Sequence, residues 1–144
     1  MKRFILTFAL LLGFAYVASA DERPIELSQM PKAAQTFIAN NFAGKALLYA
    51  NVDREILDTD YEVRLEDGTQ IEFNGSGQWT KISNKRAGVP QSVIPANIVQ
   101  YAQKSYPEAT ILSVERNTRN YEVKLSNGLE LVFTLDGKLI GYDD

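Results

Sequence analysis

Apolar and polar residues alternate along Tyr61-Glu62-Val63-Arg64-Leu65, and again along Tyr121-Glu122-Val123-Lys124-Leu125. Each run leads into a turn, Glu66-Asp67-Gly68 or Ser126-Asn127-Gly128, and then into a second run that ends in Phe73 or Phe133. Alternation with a period of two predicts half-buried strands, and Asp-Gly or Asn-Gly between them predicts a hairpin. The two hairpins lie 60 residues apart, which points to a duplicated supersecondary unit.

The hairpin can be tested for register. A two-residue Asp67-Gly68 loop would set Leu65 against Gln70 and Val63 against Glu72, mixing apolar and polar residues on both faces. A three-residue loop with Gly68 in the left-handed conformation pairs Tyr61 with Phe73 and Val63 with Ile71. The same loop pairs Tyr121 with Phe133 and Val123 with Leu131. One face is then apolar throughout, and a slip of one residue would invert it. Gly75-Ser76-Gly77 and Leu135-Asp136-Gly137 read as loops of the same kind, bringing Trp79 to Phe73 and Leu139 to Phe133.

Helical spacing precedes each hairpin. Met30, Ala34, Phe37, Ile38 and Phe42 share one face, with Ser28 as the expected N-cap and Pro31 in the first turn. Ile94, Ile98, Tyr101, Ala102 and Tyr106 repeat the face 64 residues on, with Ser92 and Pro95 in the matching places. A strand follows each helix. Ala46, Leu48, Ala50 and Val52 are its expected inward residues in the first unit, Leu112 and Val114 in the second. The offset then drops from 64 to 60, so residues 54–60 form a longer, acidic loop. Asp21 to Leu27 reads as a polar tail. The fold class that results is α+β: two tandem repeats, residues 28–84 and 92–144, each a helix followed by a four-stranded antiparallel meander. Together they form one sheet with both helices on one face.

The N-terminus changes the setting. Met1-Lys2-Arg3, the apolar run Phe4 to Val17 and Ala18-Ser19-Ala20 read as a secretory signal peptide, residues 1–20, cut after Ala20. The run is shorter than the roughly 20 residues of a spanning helix. Residues 21–144 then form a single periplasmic or secreted domain with no membrane segment. Removing Lys2 and Arg3 leaves 13 basic against 18 acidic residues, a net charge of −5. That balance argues against a nucleic-acid partner and against anionic lipid.

Taken together, the signal peptide, the Tyr-Glu-Val-x-Leu-x-Asp/Asn-Gly hairpins and the Gly-x-Trp that ends at Trp79 resemble the PepSY-like periplasmic proteins of the beta-lactamase-inhibitor-like group. The resemblance spans the mature chain in two copies; Leu139 stands where the first copy has Trp79. It implies a fold like that of beta-lactamase inhibitory protein, with an open sheet face that receives a partner. Related PepSY domains are associated with restraint of peptidases.

Histidine and cysteine are both absent, which removes Ser-His, Cys-His and thiol chemistry and the usual zinc ligand sets. The expected protein is therefore not an enzyme, binds no cofactor, and engages a protein or peptide. Its oligomeric state stays open. The outward sheet residues include Arg64, Glu72 and Lys124, with Val132, Ile140 and Tyr142 as an apolar cluster among them; these six are the candidate partner-binding residues. The acidic stretch Asp53 to Glu62 reads as a solvated loop. Hard oxygen ligands suit calcium, and Asp58 and Asp60 are the candidates should it bind. Trp79 is expected in the core beside Phe73.

Overall fold

The structure is a computed structural model that describes residues 22–143. The signal peptide and its cleavage site after Ala20 lie outside the described residues. Strand β1 (Glu22–Ile25) leads through a 3-10 turn (Leu27–Gln29) to helix α1 (Lys32–Asn41). Strands β2 (Leu47–Arg54), β3 (Thr59–Leu65), β4 (Gln70–Phe73) and β5 (Trp79–Ser83) follow. A second 3-10 turn (Gln91–Val93) precedes helix α2 (Ala96–Ser105). Strands β6 (Ile111–Arg116), β7 (Asn120–Leu125), β8 (Glu130–Thr134) and β9 (Leu139–Asp143) end the described chain. All nine strands join one sheet in sequence order, each antiparallel to its neighbours.

The hairpin register is the expected one. Tyr61 pairs with Phe73 and Val63 with Ile71, and Tyr121 pairs with Phe133 and Val123 with Leu131. Gly68 and Gly128 have φ of 95° and 91°, so the left-handed position falls on the residue that tolerates it. Trp79 meets Phe73 and is half-buried against the core, as expected.

One buried cluster joins Ala34 and Ile38 of α1, Ile98 and Ala102 of α2, and the apolar residues of the strands, among them Val63, Ile71, Phe73, Val123, Leu131 and Phe133. Phe37 meets Phe73 edge-on at 5.9 Å between ring centroids, and Tyr101 meets Phe133 edge-on at 5.6 Å. Edge-to-face contacts of this kind favour one docking angle for each helix.

Four features depart from the sequence reading. First, residues 22–25 are a strand rather than a tail. They extend the sheet along β2 from Glu22–Asp53 to Ile25–Ala50, and Pro24 fits an edge strand because it lacks a donor. Second, Ser28 and Ser92 cap no helix. Met30 and Ile94 precede prolines and are extended, with ψ of 159° and 139°. Proline disfavours the helical region for the residue before it. The segment therefore breaks into a 3-10 turn and a helix that starts after Pro31 or Pro95.

Third, bulges at Leu47/Tyr49 and at Ile111/Ser113 shift the alternation. Leu48 is 61 % exposed, and Ile111 takes the core place expected of Leu112. Fourth, the pairing of β8 with β9 shifts between Val132 and Phe133, so Tyr142, though 68 % exposed, lies opposite Leu131 and shares its side of the sheet. Val132, Ile140 and Tyr142 therefore do not form one cluster on one face. Residues 54–60 do not make a wide loop: β2 and β3 have eight and seven residues against six each in β6 and β7, which takes up three of the four extra residues. The tip closes by a hydrogen bond from the Glu55 amide to the Asp58 carbonyl (2.8 Å), as Asn117 closes on Asn120 in the second hairpin (3.1 Å).

Candidate functional site

Residues between the buried positions point to the other face, where pairing lines them up across the sheet. One row runs Asn51, Glu62, Glu72, Lys81, Glu115, Glu122, Val132. The next runs Tyr49, Arg64, Gln70, Ser83, Ser113, Lys124, Glu130. A shorter third row, Glu22, Asp53, Asp60, lies beyond the first. Glutamates predominate in the first row, with Lys81 among them, and acidic residues fill the third. The second carries Arg64 and Lys124, so the face divides along the strand direction into an acidic and a more basic half.

The acidic half forms a shallow hollow of about 360 Å³, lined by Glu22, Asn51, Asp53, Asp60, Tyr61, Glu62, Glu72, Thr80 and Glu115. Hydrogen bonds order part of it. The Tyr49 hydroxyl and the Gln70 amide both donate to Glu62 Oε1 at 2.9 Å, and Asn51 Nδ2 donates to Glu22 Oε1 at 2.9 Å. Burial raises the Glu72 carboxyl above its ordinary value; Glu62, Glu115 and Asp60 push the same way and Lys81 opposes them. Burial likewise raises Asp60, followed by repulsion from Asp58 and Asp53. Repulsion among these carboxylates makes the hollow receptive to positive charge.

The basic half holds a hollow of about 640 Å³ whose lining includes Gln70, Lys81, Ser83, Lys85, Leu112, Ser113, Lys124 and Glu130. Its apolar floor comes from the bulge in β6. Ile111 pairs with Leu125 on the buried face and Ser113 with Lys124 on the outer face, and the extra residue, Leu112, lines the hollow.

The candidate residues fall as follows. Glu72 lines the acidic hollow and Lys124 the basic one. Arg64 Nη1 donates to Gln70 Oε1 at 3.3 Å beside the basic hollow. Val132 shares the face next to Glu122, and Ile140, the extra residue of the β9 shift, is 60 % exposed. Tyr142 lies on the other side. Asp58 accepts a hydrogen bond from the Thr59 amide (3.1 Å) at the hairpin tip, while Asp60 sits in the acidic hollow. Among the described residues no group of three or more carboxylates is placed to hold a metal ion.

Lys81, Lys85, Leu112 and Glu115 escaped the sequence reading. The pairing of β5 with β6 that brings Lys81 opposite Glu115 carries no local signal. Ile56 and Leu57, at the hairpin tip, are 100 % and 97 % exposed. No helix among the described residues is long and apolar enough to cross a membrane.

Two helices and one nine-stranded antiparallel sheet define an α+β protein. The chain belongs to the family described as "Putative beta-lactamase-inhibitor-like, PepSY-like", whose model matches residues 18–68 and 59–141. It is similar to a "putative calcium-regulated periplasmic protein" of Bacteroides thetaiotaomicron, with 40 % identity, a TM-score of 0.83, and 86 % of this chain and 98 % of that one covered. It also resembles two putative periplasmic proteins of Bacteroides vulgatus. One is 36 % identical with a TM-score of 0.81, covering 88 % of this chain and 99 % of that one. The other is 31 % identical with a TM-score of 0.79, covering 85 % and 99 %. Among curated proteins, none matches the chain.

Proposed function

We propose that this protein is a non-enzymatic binding protein of the periplasm or secreted space that engages a protein or peptide through the outer face of its sheet. The observation that carries the reading is the division of that face into an acidic and a basic hollow, which gives a partner both a surface and a direction. Glu72, Arg64, Lys124, Val132 and Ile140 are its contact residues.

In this reading residues 21–144 are one domain of two tandem helix-plus-meander repeats, with both helices on the opposite face. Support comes from the Phe37–Phe73 contact, which recurs as Tyr101–Phe133. Export follows from the N-terminal segment, cut after Ala20, and agrees with the periplasmic relatives. The absence of histidine and cysteine and the inhibitor-like family support a role without catalysis.

The test is capture from a periplasmic extract on immobilised protein. Val132→Asp with Ile140→Asp, and separately Glu72→Lys with Lys124→Glu, should each abolish specific captures. Unchanged captures with both pairs would remove the outer face as the site.

A second reading, a calcium-responsive envelope protein, is favoured by the similarity to the calcium-regulated relative and by the crowding of Asp60 with Asp53 and Asp58. Calcium titration by calorimetry decides it: neither heat nor a change in melting temperature at millimolar calcium would eliminate this reading.

A further inference from the structure

The basic hollow is the more specific of the two. Lys81, Lys85 and Lys124 reach it from β5, from the link before α2 and from β7, against the single carboxylate of Glu130. Lys85 and Lys124 are exposed, and among the described residues none of the three lysines makes an ion pair. Between them lies Leu112, placed there by an inserted residue in β6. Bulges of this kind re-aim a side chain next to a site. Lys81 lies opposite Glu72 and Glu115, so Lys85 and Lys124 carry the uncompensated charge beside Leu112, and the hollow asks for an occupant that is apolar at its centre and anionic around it.

We infer that this hollow receives a protein segment in which one or two aliphatic side chains are flanked by carboxylates. The aliphatic group covers Leu112, and the carboxylates meet Lys85 and Lys124. The inference rests on the outer-face reading above and adds the partner's chemistry. A lipid surface fits less well. A sheet face laid on an anionic bilayer would bring Glu62, Glu72 and Glu115 down with the lysines, and opposite ends of one face cannot both be attracted. The acidic half also sets the direction of the segment, because its carboxylates are repelled from that end.

The volume of about 640 Å³ lies within the usual range of specific pockets, roughly 300–1,000 Å³. The chain itself carries a segment of the same chemistry, Glu55-Ile56-Leu57-Asp58, with both aliphatic residues exposed. A second copy is therefore the competing occupant.

Amide NMR on the purified protein tests the proposal with three capped hexapeptides: Asp-Glu-Leu-Leu-Glu-Asp, its serine-centred analogue, and Lys-Lys-Leu-Leu-Lys-Lys. The first should shift the amides of Leu112, Ser113, Lys124 and Gly128. The serine analogue should bind at least tenfold more weakly. Lys85→Glu with Lys124→Glu, both at exposed positions, should weaken the acidic peptide at least tenfold while leaving amides of the buried face unmoved. Leu112→Ser is the second variant and should act in the same direction.

Binding of the basic peptide alone, at Glu62, Glu72 and Glu115, overturns this inference and leaves the outer-face reading standing. No shift on the face with any peptide overturns both. If dilution of the protein alone moves the same amides, and Ile56→Ser with Leu57→Ser stops it, the occupant is a second copy and the proposal fails.

Discussion

At the scale of single residues, two buried or half-buried polar groups carry opposite lessons. Asn84 is 2 % exposed and fully used. Its Nδ2 donates to Thr69 Oγ1 (3.2 Å) and to the Asp67 carbonyl (3.3 Å), and its Oδ1 accepts from the amides of Arg86 and Ala87 (2.9 and 3.0 Å). It ties the β3–β4 turn to the link between the two halves of the sheet. Asn84→Ala leaves these partners unpaired and should cost about 2–4 kcal/mol in urea unfolding, since each stranded buried group costs about 1–3 kcal/mol. A loss within experimental error would show that the turn relaxes to water. Glu72 behaves otherwise. Its carboxyl is raised above the ordinary 4.5, so the folded protein takes up that proton before the unfolded chain does. Stability therefore rises as pH falls from neutral towards about 4.5, with no further gain from this group below that value. Asp67 has the reverse sign. Burial pulls it upward but is outweighed by the Thr69 hydrogen bonds and by Lys45, 3.4 Å away, so its carboxyl is held below 3.8. Its contribution is complete above 3.8 and is lost on further acidification. Calorimetry across pH should show the melting temperature rising and then falling; Glu72→Gln should flatten the rise and leave the fall, and an unaltered rise would count against the crowding.

At the scale of elements, the loops show what a sequence can and cannot declare. The hairpin register was legible because glycine at the third loop position and apolar parity agreed, and both are printed in the chain as residue types. Bulges leave no such mark. Leu112 is as apolar as a core residue, and only the pairing of Ile111 with Leu125 reveals that it faces outward. Tyr142 was misplaced for the same reason, by a one-residue shift between β8 and β9. The helix starts were misread because a serine cap is a familiar signal, while the constraint that prolines place on Met30 and Ile94 is stronger. Most of the fold was thus readable. The candidate site was only half readable, because the floor of its basic hollow depends on a bulge and its lysines meet across strands distant in sequence. The loops also permit a comparison. Gly77 has φ of 87°, and a methyl group there would come within 2.8 Å of Pro31 Cβ and 3.0 Å of the Ala34 amide nitrogen at the start of α1. Gly128 has φ of 91° and nothing within 4 Å. Alanine in the left-handed region costs about 1–2 kcal/mol, and forcing α1 away from the sheet adds about 1–3 kcal/mol. Denaturant unfolding should rank Gly77→Ala well below Gly128→Ala in stability; equal losses would mean that the β4–β5 loop does not seat the helix.

At the scale of the molecule, the decisive contact is the pairing of β5 with β6 through Ile82–Val114, flanked by Lys81–Glu115 and Ser83–Ser113. It converts two meanders into one sheet and places the acidic and basic hollows on a common surface. It also joins the apolar residues on either side into one buried cluster. Trp79, on β5, is spanned from β6: the Arg116 guanidinium lies 4.8 Å from the ring centre, and its Nη2 donates to the Trp79 carbonyl at 3.0 Å. A core shared in this way should unfold in a single transition. Phe73 and Phe133 are each fully buried, one on either side of the joint. Phe73→Ala and Phe133→Ala should each remove about 3–5 kcal/mol, and both should lower the same melting transition as followed by far-ultraviolet circular dichroism and by Trp79 fluorescence. The fluorescence is the discriminating signal, because Trp79 stands on β5 against Arg116 and Tyr121 of the second half and so reports the joint between them. If Phe133→Ala melts the second half while Trp79 keeps its wild-type transition, the halves are independent, and the outer face they form is a jointed surface instead of a rigid one.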